Sequence, residues 1–235
     1  MNGKPRSRGF TLIEMAIVMA ILALLLGGLL GPLSVQDEQR RRVENQALLD
    51  QAGEALIGFA AANRRLPCPD TNQDGLENAP CWVSAGPGDN PAAHFYVGDL
   101  PTVTLGMQPR DRWSQRLGYA VNGAFVVDPV AYPAFKLSLQ SKGAGAGILR
   151  VFNRDTAGVD CTTTPANLAE NVPAVIISGA KTRYNSVNEQ ENRDNDACFY
   201  VHSYSLTPGA EFDDQVQWVS SSILFNRLLT AGVLP

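Results

Sequence analysis

An uncharged apolar run near the N-terminus constrains this chain more than any other feature. Residues 15–33, MAIVMAILALLLGGLLGPL, are 19 residues without one charged side chain. As a helix, such a run is long enough to cross a hydrocarbon core of about 30 Å. The preceding residues carry Lys4, Arg6 and Arg8 and no acid, and a basic flank of this kind stays in the cytoplasm. The sequence therefore predicts a transmembrane helix over residues 10–33, with the C-terminal bulk outside the cytoplasm.

The residues at the start of this helix carry a processing motif. An ordinary secretory signal has an apolar region of about 7–15 residues with its cleavage site after it. Here residues 9–14, GFTLIE, precede the apolar run and resemble the prepilin peptidase site of type IV pilins and type II secretion pseudopilins. The resemblance implies a prepilin leader over residues 1–9, cleavage between Gly9 and Phe10, N-methylation of Phe10 and retention of the whole helix.

Glu14 lies at the edge of the apolar run, where an unpaired carboxylate is costly. The resemblance implies that the new amine of Phe10 pairs with Glu14 of a neighbouring subunit and sets the register of assembly. The alternative is a Glu14 whose tip reaches water beside the headgroups, in a simple signal anchor.

Gly31 and Pro32 fall late in the same run. Glycine is a poor helix former, and proline removes a backbone donor and clashes with the preceding turn. The sequence therefore predicts a kink or a locally melted turn here, at a depth where type IV pilins also carry a proline. A small-residue face for helix packing in lipid is the alternative.

The helix is expected to resume as an amphipathic continuation over residues 34–63, with apolar residues at three- and four-residue spacings from Ala47 to Ala60. Residues 64–235 then form the globular head. Its first part, residues 64–112, is rich in turn formers and predicts an irregular connection. Beyond it we expect short strands, among them residues 117–121, 124–127 and 215–219, and a short helix over residues 223–229. A helix followed by an antiparallel sheet is an α+β fold, and the resemblance implies its type IV pilin-like form.

Residues 111–119, DRWSQRLGY, support the same family. They are similar to the D-x-W…Y element that opens the pseudopilin sheet. A glycine commonly follows that tryptophan, and this chain has Ser114 instead.

The four cysteines show no CxxC spacing and have no nearby histidine partners, which disfavours a zinc site. An even number in an exported chain predicts two disulfides. Of the three connectivities, we favour Cys68–Cys81 and Cys161–Cys198 because each closes a local loop.

Residues 70–75, DTNQDG, match the first half of a calcium loop, with Asp70, Asn72 and Asp74 as the oxygen ligands. The twelfth position, which supplies a bidentate Glu in such loops, is Cys81. Because Asp, Asn and Gly are also ordinary turn formers, a metal-free turn is the alternative. We expect no other cofactor.

The sequence offers little for catalysis. No G-x-S-x-G element frames a nucleophile for His94 or His202. Asp213 and Asp214 are adjacent, so on a strand they point to opposite faces and form no catalytic pair. The formal net charge of −4 argues against general nucleic-acid binding.

These features predict a structural subunit rather than an enzyme: a minor pilin or pseudopilin of a type IV pilus or a type II secretion pseudopilus. The resemblance implies other pilin or pseudopilin subunits, prepilin peptidase and an inner-membrane assembly platform as partners. It places the chain in the inner membrane as a single-pass protein with a periplasmic head, or in an extracellular filament. The alternative is a signal-anchored periplasmic binding or hydrolytic domain that does not polymerise.

Overall fold

The computed structural model of the chain describes residues 10–81, 94–126, 149–153, 166 and 168–233, and gives only the backbone of residues 26–34. Two compact units divide the chain, Met1–Glu44 and Asn45–Pro235. Each unit is described by itself below.

Helix α1 spans Leu12–Asn63 and ends where the sequence analysis expected. Its backbone is helical without a break through Gly31 and Pro32, so the predicted melting is not seen in this structure, and the predicted kink stays a prediction. Pro32 has no backbone N–H, so the helix of 52 residues has one hydrogen bond fewer at this position. The hydrogen bonds of the neighbouring turns keep the helix continuous. Within the described residues, no helix meets the length and apolarity that a membrane crossing needs.

Three ion pairs follow the helix surface in the first unit. Each joins an acid and an arginine four residues apart: Arg41 with Asp37 at 2.9 Å, Arg42 with Glu38 at 3.4 Å, and Arg40 with Glu44 at 2.7 Å. In two of the pairs, Asp37–Arg41 and Glu38–Arg42, the acid comes first, which is the favourable order on a helix, and such pairs stabilise a helix by about 0.2–0.5 kcal/mol each.

Among its described residues, the second unit contains two sheets and two short helices. In chain order the elements are β1 (Phe95–Asp99), β2 (Leu117–Asn122), β3 (Arg150–Phe152), β4 (Ala169–Glu170), β5 (Ala174–Ser178), α2 (Val187–Glu191), β6 (Cys198–Tyr200), β7 (Gln215–Val219) and α3 (Ser221–Thr230). The larger sheet is antiparallel with the order β1-β2-β5-β7. The smaller sheet has the order β4-β3-β6, and its β3–β6 pair is parallel. An N-terminal helix with an antiparallel sheet confirms the α+β prediction.

Both faces of the larger sheet are covered. On one face, Tyr119, Val121 and Ile176 belong to a core cluster with Leu56 of α1 and Leu224 of α3. On the other face, Ala120 of β2 and Val175 and Ile177 of β5 belong to a second core cluster. This cluster also contains Val151 and Phe199 of the smaller sheet. Because both faces are buried, β5 is buried throughout, and its first four residues are apolar instead of alternating with polar ones.

The segment after α1 is fixed by a disulfide and a partly buried ion pair. Cys68 and Cys81 form the first disulfide that the sequence analysis favoured. Arg65 donates to both carboxylate oxygens of Glu77, each at 2.7 Å, and Glu77 also accepts from the Cys68 amide at 3.1 Å. The Tyr119 hydroxyl donates to the Pro67 carbonyl at 3.1 Å, which ties this segment to β2.

Asp111 explains the D-x-W…Y element. Its buried carboxylate accepts from the amides of Trp113 at 2.9 Å and Gln115 at 2.7 Å, and from the Ser178 hydroxyl at 2.6 Å. The turn that it closes leads into β2, and the Ser178 bond connects it to β5. Ser114 sits inside this turn with φ at 65°, the left-handed conformation that glycine adopts most easily.

We expect Ser114→Gly to raise the free energy of unfolding by about 0.5–1 kcal/mol. Glycine removes the strain of a side chain at positive φ, and this gain exceeds the added entropy of the unfolded chain. The hydrogen bonds at this residue use its backbone, as donor to Asp111 O and as acceptor from Arg110, and glycine keeps both. Urea unfolding measures the difference, with Ser114→Ala as the control that keeps a Cβ. Equal or lower stability of the glycine variant would contradict this reading.

The prediction of a strand over residues 124–127 is wrong for the described residues, 124–126. Gly123–Phe125 form a 3₁₀ turn, because Asn122 accepts the Ala124 amide at 3.0 Å and bends the chain out of β2. Residue 127 lies outside the described residues. Strand β1, in contrast, was not expected within residues 64–112; it exists because it pairs along its whole length with β2.

Candidate functional site

The first candidate site is the start of helix α1, where Thr11 and Glu14 form a reciprocal cap. The Thr11 amide donates to Glu14 Oε2 at 3.2 Å, and the Glu14 amide approaches Thr11 Oγ1 at 3.3 Å. The Thr11 hydroxyl also donates to Glu14 Oε2 at 3.3 Å. This is the capping-box arrangement, in which a Thr and an acid three residues later satisfy each other's free amides. The carboxylate of Glu14 therefore stabilises the helix N-terminus within one subunit.

Phe10 and the apolar residues after it are exposed in the single chain. Phe10 is 78% exposed, and Leu12 is 91% exposed. The same holds for Ile13, Met15, Ile17, Val18, Met19, Ile21, Leu22, Leu24 and Leu25. An apolar surface of this length indicates a membrane or a protein partner rather than water. Gly9, the other processing residue, lies outside the described residues.

Comparison with known proteins gives one match. Residues 4–30 match the family model of the prokaryotic N-terminal methylation motif, the signature of type IV pilins and pseudopilins. No curated protein and no solved structure matches the chain. The recognition made from residues 9–14 is thereby confirmed, and the match does not extend to the second unit.

The loop of Asp70, Asn72 and Asp74 is ordered by its own hydrogen bonds. The buried carboxylate of Asp70 accepts from the amides of Asn72 at 3.1 Å, Gln73 at 2.6 Å and Gly75 at 2.7 Å. The Asn72 side chain donates to Asp74 Oδ2 at 2.9 Å. These bonds hold the turn without an ion, and the calcium site proposed for this loop stays a prediction.

A buried acidic cluster forms the second candidate site. It consists of Glu189 in α2 and of Asp213 and Asp214, which directly precede β7. One carboxylate oxygen from each residue lies within 4.8 Å of the others, and the three side chains are almost fully buried. The expectation that Asp213 and Asp214 point to opposite faces is wrong, because both residues precede the strand and strand alternation does not apply to them.

Named donors account for four of the six carboxylate oxygens of this cluster. Glu189 accepts from the Asp213 amide at 2.8 Å and from the Tyr184 amide at 2.7 Å. Asp213 Oδ2 accepts from the Thr182 amide at 2.9 Å, and Asp214 Oδ2 accepts from the Asn192 side chain at 3.0 Å. The nearest cation is Arg193, at 3.5 Å from Glu189.

Burial is the main cause that raises the pKa of Asp213 to about 7, and the neighbouring Glu189 and Asp214 act in the same direction. The Thr182 amide opposes the shift. Burial, followed by the charge of Glu189, likewise raises the pKa of Asp214 to about 7. The hydrogen bond from Asn192 and the charges of Arg193 and Arg183 lower this pKa and oppose the shift. The cluster therefore resists carrying its full negative charge in the folded protein.

A second group of possible metal ligands is Glu191, Asp196 and Cys198. Cys198 is disulfide-bonded, so its sulfur is not available as a thiolate ligand. The predicted partner of Cys198 is Cys161, which lies outside the described residues. This group therefore lacks the thiolate that a metal site with a free cysteine uses as a ligand.

We expect the chelator-treated protein to lose stability as the pH rises from about 4 to about 7. The folded pKa values of Asp213 and Asp214 lie above the unfolded value of about 3.9, so folding favours the protonated forms. Their contribution is complete below the unfolded pKa and is lost as the pH rises through the folded one. Replacing Asp213 with Asn should raise the free energy of unfolding at about pH 8 by about 2–4 kcal/mol.

Urea unfolding in EDTA at several pH values measures this effect. The control is Asp50→Asn, which changes an exposed carboxylate on α1. If the free energy of unfolding depends on pH in the same way in Asp213→Asn as in the wild type, the cluster does not control the pH dependence.

Proposed function

We propose that this chain is a non-catalytic structural subunit of a filament, a minor pilin or pseudopilin that assembles through its N-terminal helix. The observation that carries the proposal is the methylation motif at residues 4–30, because the helix that begins at Leu12 within this motif exposes the apolar side chains of its first turns. These side chains are buried in a membrane before assembly and against other subunits afterwards. Each burial contributes a favourable free energy of about 25 cal/mol per Å² of apolar surface removed from water.

Membrane insertion comes first in this proposal. The helix meets most of the hydrogen-bonding demand of lipid, because its interior backbone groups bond within the helix except at Pro32. Lys4, Arg6 and Arg8 hold the leader on the cytoplasmic side. The chain is then a single-pass inner-membrane protein with its second unit in the periplasm, where disulfides such as Cys68–Cys81 persist.

Assembly follows cleavage. Prepilin peptidase removes residues 1–9, and Phe10 becomes the N-terminal residue with a positive amine. The amine of one subunit then pairs with Glu14 of its neighbour, and the pair fixes the axial register of the two helices. In the free subunit Glu14 bonds to Thr11, so assembly exchanges a local cap for an ion pair in an apolar setting.

The partners in this account are other pilin or pseudopilin subunits, prepilin peptidase and the inner-membrane assembly platform. The machine is a type IV pilus or a type II secretion pseudopilus. At 235 residues the chain is larger than most major subunits, which favours a minor, low-copy component.

The N-terminus of the mature chain tests the proposal. Processing makes Phe10 the first residue, whereas an unprocessed signal anchor that carries a binding or hydrolytic domain retains residues 3–9.

A further inference from the structure

We propose that Glu189, Asp213 and Asp214 bind one divalent cation of the calcium type, in a site that does not depend on the N-terminal motif. The three carboxylates come from two separate segments of the second unit, and one oxygen of each lies within 4.8 Å of the others. This spacing suits a hard cation with oxygen ligands at about 2.3–2.6 Å.

The unsatisfied oxygen of Asp213 is the observation that points to a ligand. Asp213 is 1% exposed, and its Oδ1 atom has no hydrogen-bond donor. A buried carboxylate oxygen without a partner is costly and rare in folded proteins. Oδ2 of each aspartate accepts a hydrogen bond, from the Thr182 amide and from the Asn192 side chain. Asp213 therefore keeps one buried oxygen for another partner.

The local charge specifies the valence. Among the described residues, half-buried Arg193 contacts one of the three carboxylates, that of Glu189. Arg183 also acts on Asp214, but it is exposed and solvent screens its charge. An ion that binds displaces any protons on the carboxylates, and the ionised cluster with Arg193 then carries two negative charges, which a divalent cation neutralises. Carboxylate oxygens without sulfur or imidazole select calcium or magnesium over the softer metals.

An entry path reaches the cluster from the surface. Asp214 lines a cleft of about 360 Å³ together with Asp99, Gly179, Asn192 and four arginines, which are Arg110, Arg116, Arg183 and Arg193. Water molecules in this cleft would complete a coordination shell of about 6–8 oxygens, which three carboxylates alone do not fill. The cleft also explains how an ion exchanges with solvent while Asp213 stays buried.

Calcium titration of the full-length chain in detergent tests the proposal. After EDTA treatment and removal of the chelator, isothermal titration with CaCl₂ to about 1 mM covers the affinities of extracellular calcium modules. We expect one Ca²⁺ per chain, a higher Tm with CaCl₂, and weaker binding of MgCl₂. Asp213→Asn and Asp214→Asn should each weaken Ca²⁺ binding about tenfold or more, because each removes a ligand charge.

The matched control is Asp74→Asn, which removes a carboxylate from the loop that the sequence suggested for calcium. Retained binding in this variant, together with the loss in the two cluster variants, supports the site. Circular dichroism of each variant establishes that it is folded. No Ca²⁺ binding by the wild type, or unchanged binding by folded Asp213→Asn and Asp214→Asn, would overturn the proposal, as would a loss of binding in Asp74→Asn alone.

Discussion

A chain with Glu14→Gln should insert into the membrane as the wild type does and fail to join a filament. The change removes a charge from the apolar helix, so insertion becomes easier. Assembly would then place the Phe10 amine in an apolar setting without a counter-charge, at a cost of about 3–5 kcal/mol. Since about 1.4 kcal/mol corresponds to a factor of ten, crosslinking to filament partners should fall by about a hundredfold or more.

Glutamine is the sharper variant because the structure gives Glu14 a second role. Its carboxylate caps Thr11, and Glu14→Ala removes both the charge and the cap. A glutamine oxygen can still accept the Thr11 amide, since capping boxes use either Glu or Gln. Glu14→Gln therefore isolates the charge from the stability of the first helical turn.

Thr11→Ala is the matched control. It removes the hydroxyl that bonds to Glu14 and leaves the charge in place, at a helix cost of about 0.5–2 kcal/mol. We expect this variant to assemble. Crosslinking of Glu14→Gln at the wild-type level would show that the carboxylate does not set the register. Loss of assembly in Thr11→Ala with normal assembly of Glu14→Gln would assign the effect to the cap.

The sequence predicted the elements whose signals are local. The end of α1 at Asn63 and the bounds of β7 follow from periodicity and turn residues over a few neighbours. The Cys68–Cys81 disulfide closes a short loop, so its pairing was also favoured by position alone.

Elements that depend on distant partners were not predictable in this way. Strand β1 lies in a segment rich in turn formers, and it forms because its backbone pairs with residues of β2 that lie 19 to 27 positions later in the chain. The cluster of Glu189 with Asp213 and Asp214 joins residues 24 positions apart, as the Asp213–Glu189 hydrogen bond shows. A loop leading into β7, instead of a strand, brings the two aspartates to the same side.

Ser114 shows an intermediate case. The sequence marked it as a departure from a position where glycine is common, and the structure gives the reason, a φ of 65° in the turn that Asp111 closes. The departure was visible from the residue type, but its physical meaning required the backbone conformation.

The central claim is that the chain is a prepilin, and the mass of its N-terminal peptide tests this claim most directly. Co-expression with an active prepilin peptidase should yield a chain that begins with N-methylated Phe10 and lacks Lys4, Arg6 and Arg8. Co-expression with an inactive peptidase should leave the leader in place. Gly9→Val should also block cleavage, because a bulky side chain at the junction hinders close approach to the backbone.

The account predicts essentially complete conversion of the wild type by the active enzyme and none in the two controls. An intact leader on the wild-type chain in the presence of active peptidase would contradict it.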